Sequence, residues 1–209
     1  MLLDIHTHHV SPVAGESIRN VGVSAFSPAK GYFYSVGIHP WTITDKWEEE
    51  WEKLAETVRH PAVLAIGEAG LDKLSSTGFV LQKQVFERQV LLSEEVEKPL
   101  VIHCVKSFNE LVELKKKYRP RLPWVVHGFR NNLHIARQLM HEGIYLSVGE
   151  KYQTEVLQAI PIDRVLTETD ESRMDIREIV AGVAAQRGVK AADLLLQIDE
   201  NARNVFFKR

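Results

Sequence analysis

Residues 2–10 read "LLDIHTHHV", with three histidines and an aspartate closing a short apolar run. Extended backbone alternates its side chains, so His6 and His8 point to one side together. Two imidazoles aimed at one point are half of a metal site, but a histidine cluster alone does not define one. Four later apolar runs each end on a further donor: "AVLAIGE" on Glu68, "PLVIHC" on His103, "PWVVHG" on His127 and "RVLTETD" on Asp170. One strand-end histidine is more often incidental than a ligand; the recurrence across five runs carries the argument. Four imidazoles and two carboxylates suit a borderline divalent ion. One carboxylate can bridge two ions, and two ions about 3.5–4 Å apart can hold a hydroxide and clamp a phosphoryl or acyl oxygen.

Such convergence needs a scaffold that gathers strand ends. About eight apolar runs recur: "MLLDIH", "SIRNVGVSAF", "GYFYSVGIH", "AVLAIGE", "PLVIHC", "PWVVHG", "IYLSVGE" and "RVLTETD". Segments of helical period lie between most of them. Over 44–60, Trp47, Trp51, Leu54, Ala55 and Val58 share a face, with Thr44 as expected N-cap and Pro61 as stop. Over 79–98 the expected stripe is Leu81, Val85, Leu92 and Val96, ended by Pro99. Helices are also expected over 107–119, over 131–142 with Gly143 closing it, and over about 175–207 with a break near Gly188. Continuous apolar strands alternating with amphipathic helices predict a parallel sheet covered on both faces. Eight such strands predict an α/β fold, a TIM-like (β/α)8 barrel whose site lies at the C-terminal strand ends. The segment from 9 to 31 has room for a strand but not for ordinary helices on both sides. The barrel is therefore expected to be shortened or distorted, with an outer helix missing after the second strand, and residues 1–209 to form one domain.

The bulk properties fit this reading. The 209 residues are 44% hydrophobic and 26% charged, with a net charge of -2, so no global basicity marks a nucleic-acid binder. The one cysteine, Cys104, excludes an internal disulfide framework. Asp4 and His6 interrupt the opening apolar run far short of a signal or membrane span. The default expectation is a cytoplasmic protein with no membrane association and no obligate protein partner.

Other polar residues carry two readings. Arg130 follows the His127 strand and either meets a substrate phosphate as a fork of donors or is a solvated loop arginine. Lys73 and Arg173 stand in the same position. His9 is expected at the rim, Asp4 in a structural role and Cys104 as a packed thiol. The basic run "KKKYRPR" at 115–121 reads as a solvated helix end, where cations suit the macrodipole. Trp47 and Trp51 read as helix-to-barrel contacts, and His60, His134 and His141 as helix-associated residues.

Taken together, "DIHTHH" at 4–9, "VGIHPW" at 36–41, "IGEAGLD" at 66–72, "VIHC" at 101–104, "VVHGF" at 125–129, "TETD" at 167–170 and "NARNVF" at 201–206 resemble the TatD-type metal-dependent hydrolases of the amidohydrolase superfamily. The resemblance spans nearly the whole chain, in order. It implies a barrel with a binuclear centre of two divalent ions (Mg, Mn, Zn or Co). A metal-bridged hydroxide would hydrolyse a phosphodiester, possibly DNA, as in a deoxyribonuclease. Carried over by position, His6, His8 and Asp170 would hold the first ion, His103 and His127 the second, and Glu68 would bridge them. Asp170 would also act as general base, and His39 would contact substrate at the mouth. The short 9–31 segment, Lys73 where an aromatic residue is common, and "HGFRNN" after the sixth run depart from the family pattern and bear on substrate preference. Two alternatives stay open: the same centre acting on a small amide, lactone or ester, and a metal-bound scaffold without catalysis.

Overall fold

A computed structural model describes residues 1–207; the last two residues of the expected domain, Lys208 and Arg209, lie outside the described residues. Eight strands pair in chain order, each parallel to the next: Asp4–Thr7 (β1), Ser17–Gly22 (β2), Phe33–Gly37 (β3), Val63–Asp72 (β4), Leu100–Val105 (β5), Trp124–Val126 (β6), Tyr145–Val148 (β7) and Leu166–Thr167 (β8). The Asp170 N–H donates to the His6 carbonyl at 2.9 Å and the His8 N–H to the Asp170 carbonyl at 3.1 Å. These two bonds, with a bridge between Thr7 and Asp170, bring the last strand back to the first and nearly close the barrel.

Seven α-helices join or follow the strands among the described residues: Trp47–Thr57 (α1), Phe79–Val96 (α2), Phe108–Tyr118 (α3), Leu133–His141 (α4), Thr154–Ala159 (α5), Ile176–Arg187 (α6) and Ala191–Phe206 (α7). Between β2 and β3 there is only a 3-10 turn, Val23–Ala25, and β1 runs to β2 through a loop. The outer helix missing after the second strand is thus a property of the fold, set by a 9–31 segment too short to supply one. The second apolar run correspondingly splits, with "VSA" leaving the strand for the turn.

Two helix expectations need correction. Thr44 does not cap α1. Its hydroxyl accepts from the Lys46 N–H at 3.2 Å, a local turn that delays the helix start until Trp47. On α2 the buried face is not centred on Leu81 and Val96, which are half-buried. It gathers Gln82, Val85, Phe86, Gln89, Val90, Leu92 and Ser93, so three polar side chains lie where the apolar stripe was expected. The break near Gly188 is present: this residue ends α6 in the left-handed conformation (φ 67°), where an L side chain is disfavoured.

Most of the core lies in one cluster that joins the strands to α1–α7. A smaller one collects Leu2, Ile5, Ile18, Val101, Val125 and Leu166 with Ala202, Val205 and Phe206 of α7. Trp124 is the largest fully buried side chain. Trp47 and Trp51, expected to contact the barrel, flank the Arg88 guanidinium of α2, 5.2 and 4.2 Å from its carbon, so this contact joins α1 to α2. Most of the 115–121 run is a solvated helix end, where Lys116, Lys117 and Arg121 pair with Glu142, Glu87 and Glu94, but Lys115 is half-buried over the Trp124 ring. Cys104 packs against the core, and burial pushes its thiol well above the ordinary range.

Candidate metal centre

The C-terminal strand ends bring all six expected donors together around Glu68, which is 5% exposed. Its Oε1 lies 2.7 Å from His127 Nε2, 2.8 Å from His103 Nδ1 and 3.1 Å from His39 Nε2. Its Oε2 faces His6 Nε2 at 3.5 Å and His8 Nε2 at 3.6 Å. Asp170 Oδ1 faces the same two nitrogens, each at 3.6 Å. Glu68 sits where the pairing of β4 with β5 slips, between Ile66 and Ala69. Immediately beyond, Gly70 has φ 152°, and a Cβ there would stand 1.9 Å from the His103 carbonyl oxygen. Glycine is what lets the two donor-bearing strands approach this closely.

Asp170 occupies the left-handed region at φ 54°, a conformation aspartate tolerates better than most residues. The two main-chain bonds to β1 clamp it there. The local backbone is thus settled by barrel closure, and that same closure delivers the carboxylate to His6 and His8.

The electrostatics follow from burial and proximity. Burial alone would raise the Glu68 carboxyl, but the His127, His103 and His39 imidazoles outweigh it and hold it well below the usual carboxylate range. Burial opposes charge on His127, yet Glu68 and Glu168 raise it well above an ordinary imidazole. The bond to Glu68 raises His8, while burial and the nearby His127 lower His6.

Three groups of donors lie close enough to hold an ion: His6, His8 and Glu68; His6, His127 and Asp170; and His39, Glu68 and His103. The fit can be tested on His6. It is fully buried, yet neither ring nitrogen has a hydrogen-bond partner. Ligands about 2.0–2.2 Å from a tetrahedral ion stand roughly 3.3–3.6 Å apart. His6 Nε2 stands 3.5 and 3.6 Å from its two carboxylate neighbours, so spacing and donor chemistry both suit a divalent cation. His39, expected only to contact substrate, lies within one of these groups. Arg130 is exposed, with Nη2 3.8 Å from Asp170 Oδ2, so it flanks the cluster.

Sequence reading missed the residues that hold the donors. Glu168 is fully buried; its Oε1 accepts from the Gly128 N–H at 2.5 Å and faces His127 Nδ1 at 3.6 Å. Asp72, 2% exposed, accepts from Trp41 Nε1 at 2.7 Å, meets His103 Nε2 at 3.1 Å and accepts from the Leu74 N–H at 2.7 Å. Carboxylates on the second nitrogen of a ligating imidazole fix its tautomer and orientation. Both stand inside quoted motifs, "TETD" and "GLD", and their acidity was the available signal. Asn20 Oδ1 accepts the Glu68 N–H at 2.7 Å and Ser35 Oγ–H at 3.2 Å.

Other expectations resolve simply. Asp4 has a structural role: its carboxylate takes the His6 N–H at 3.3 Å and the Thr169 N–H and hydroxyl at 3.0 and 2.7 Å, and burial pushes it up to about 7. His9 is exposed at the rim, its Nε2 3.1 Å from the Glu171 carbonyl. Lys73 pairs with Glu110 of α3.

An eight-stranded parallel barrel that gathers imidazoles and carboxylates at the C-terminal mouth defines the class: a barrel protein built around a candidate metal centre. The family is equally clear, because residues 22–207 match the model for TatD related DNase, and the chain belongs to that family. It is 34% identical over 147 residues to the uncharacterized metal-dependent hydrolase YabD of Bacillus subtilis, covering 66% of this chain and 58% of YabD. It is 29% identical over 209 residues to the 3'-5' ssDNA/RNA exonuclease TatD of Pantoea vagans, covering 84% and 78% of the two chains. Some curated relatives are thus matched over only about half their length. The crystal structure of the Escherichia coli TatD homolog YJJV superposes with a TM-score of 0.85 over 100% of this chain and 98% of that one, at 20% identity, a likeness of fold.

Proposed function

We propose that residues 1–209 form one barrel domain that hydrolyses phosphodiester bonds of nucleic acid with the help of two divalent ions. The observation that carries this reading is the Glu68 carboxylate, buried and faced by five imidazoles from β1, the β3 end, β5 and β6. A buried carboxylate with so many nitrogens around it is an arrangement proteins use to share a ligand between cations. His6, His8 and Asp170 would hold one ion and His103 and His127 the other, with Glu68 between them. His39 stands close enough to join the second set. When bound, the ions supply Lewis acidity and a nucleophile at neutral pH.

The chain's own groups do the rest. Asp72 orients His103 through its Nε2, and Glu168 places a negative charge beside His127. Asp170, 23% exposed, combines access to solvent with a fixed backbone, as a base that takes the proton of attacking water requires. Arg130, beside Asp170, is placed to meet a phosphate oxygen. The nuclease names among the curated relatives support a nucleic-acid substrate over a small ester or lactone.

The test is the metal content of the purified protein together with hydrolysis of single-stranded DNA, RNA, a phosphomonoester and a lactone, with added Mn or Mg. Glu68→Ala is the control. Two equivalents of metal and cleavage of the nucleic acids, both lost in Glu68→Ala, are expected. Turnover of the lactone alone would overturn the assignment of the bond, and turnover undiminished by Glu68→Ala would overturn the centre.

A further inference from the structure

The cluster opens on two sides. One cavity, about 540 Å³, carries Lys106, Arg130, Asn131, Asn132 and Gln153. The other, about 500 Å³, carries Trp41, Val21, Gly22 and Gly37, with Glu50 and Glu171 also on its lining. The two share His103, His127 and Asp170, so the donors form the wall between a cationic, amide-rich lobe and a more apolar one. Each is within the size range of small-molecule sites.

Trp41 is 62% exposed in the apolar lobe. A single exposed apolar residue is ordinary, but this one is held in place. Its indole N–H donates to Asp72 Oδ2 at 2.7 Å, the oxygen that also meets His103 Nε2. Its main-chain N–H donates to His39 Nδ1 at 3.1 Å. The ring stands edge-on to His39 and His103, with centroids 4.9 and 5.4 Å away. Two candidate ligands and a buried carboxylate thus fix an aromatic ring whose remaining surface faces solvent. The paired strand-end glycines Gly22 and Gly37 also line the lobe, and a Cβ at Gly22 would meet nothing within 4 Å. The lobe has room for a flat ring.

We infer that Trp41 is the stacking platform for a nucleobase next to the bond being cut, with the phosphate backbone running across the cluster toward Arg130 and Lys106. This rests on the nucleic-acid reading above and deepens it. Stacking on an aromatic ring needs a base face not already covered by its neighbours in a duplex, which a flexible single strand offers. Stacking tolerates every base, so cleavage shows little sequence preference.

The experiment compares wild type, Trp41→Ala and Trp41→Phe on one single-stranded oligonucleotide with normal bases and on the same strand with stable abasic residues at both ends. Both substitutions also remove the indole N–H from Asp72 Oδ2, and any effect passed on through His103 falls equally on the two strands. Trp41→Ala is expected to raise KM on the base-bearing strand about 5- to 150-fold, the range for losing one stacked base, with a much smaller change in kcat. Trp41→Phe keeps a ring and most of the affinity. On the abasic strand wild type loses a similar factor, and Trp41→Ala loses no more. An unchanged KM for Trp41→Ala on normal bases, or an equal penalty on both strands, overturns the stacking role while leaving the nuclease reading intact. If wild type cleaves neither strand, both fall.

Discussion

Gln89 offers the sharpest test of how α2 supports the site. This fully buried side chain makes two bonds to one residue: Oε1 accepts the Ile38 N–H at 2.9 Å, and Nε2 donates to the Ile38 carbonyl at 3.0 Å. Ile38, 1% exposed, is the residue before His39. Gln89→Met keeps the length and volume but removes both partners. Two orphaned main-chain groups cost about 1–3 kcal/mol each, and the easier burial of a thioether returns part of this, leaving a net loss of about 2–4 kcal/mol. For a chain of this size that is a fall in Tm of roughly 4–16 °C. Urea denaturation of Gln89→Met, with exposed Gln84→Met on the same helix as control, measures it. The control should match wild type. The freed His39 loop should also raise KM for substrate more than it lowers kcat. A Gln89→Met variant within about 0.5 kcal/mol of wild type would show that Ile38 finds other partners and that α2 does not fix the loop.

Three further predictions follow from the charges. Asp170→Asn should cut turnover by at least about 100-fold, the range for losing a general base, while circular dichroism and most metal binding are preserved; near-normal rates would remove Asp170 from that role. Burial of its side chain over β6 lowers Lys115 of α3 from 10.5 to about 8, with its Nζ 5.0 Å from the Trp124 ring. The penalty for a charged Lys115 is full below pH 8, and between about 8 and 10.5 the unfolded chain holds more protons, so stability rises with pH. Lys115→Met should therefore stabilise the protein at pH 7 by on the order of 1–3 kcal/mol, an advantage that fades toward pH 10.5; a gain constant with pH would place its cause elsewhere. Glu68 raises both His127 and His8, so each holds a proton more tightly than an ordinary imidazole before metal binds, and metal binding is expected to release protons and tighten as pH rises. Titration calorimetry in buffers of different ionisation enthalpy should detect this release, and heats independent of buffer would contradict it.

The sequence determined the strands and what stands at their ends. Apolar runs, Pro and Gly stops and the identities of His6, His8, Glu68, His103, His127 and Asp170 are local facts, and parallel strands in chain order bring their ends to one mouth. The absent helix was equally legible, because chain length limits what can form. Tertiary structure alone decided which side chains meet. Alternation along a strand gives a side but not a partner, and the slipped pairing at Glu68 spoils even the side. Gln82 and Gln89 look like breaks in an apolar stripe until the main chains of Asp72 and Ile38 are seen against them. Trp41 reads as one more aromatic beside a proline until Asp72, 31 residues away, fixes its indole at the mouth. Residue type and period are set by neighbours in the chain, whereas a hydrogen bond between distant strands depends on register, twist and barrel closure together.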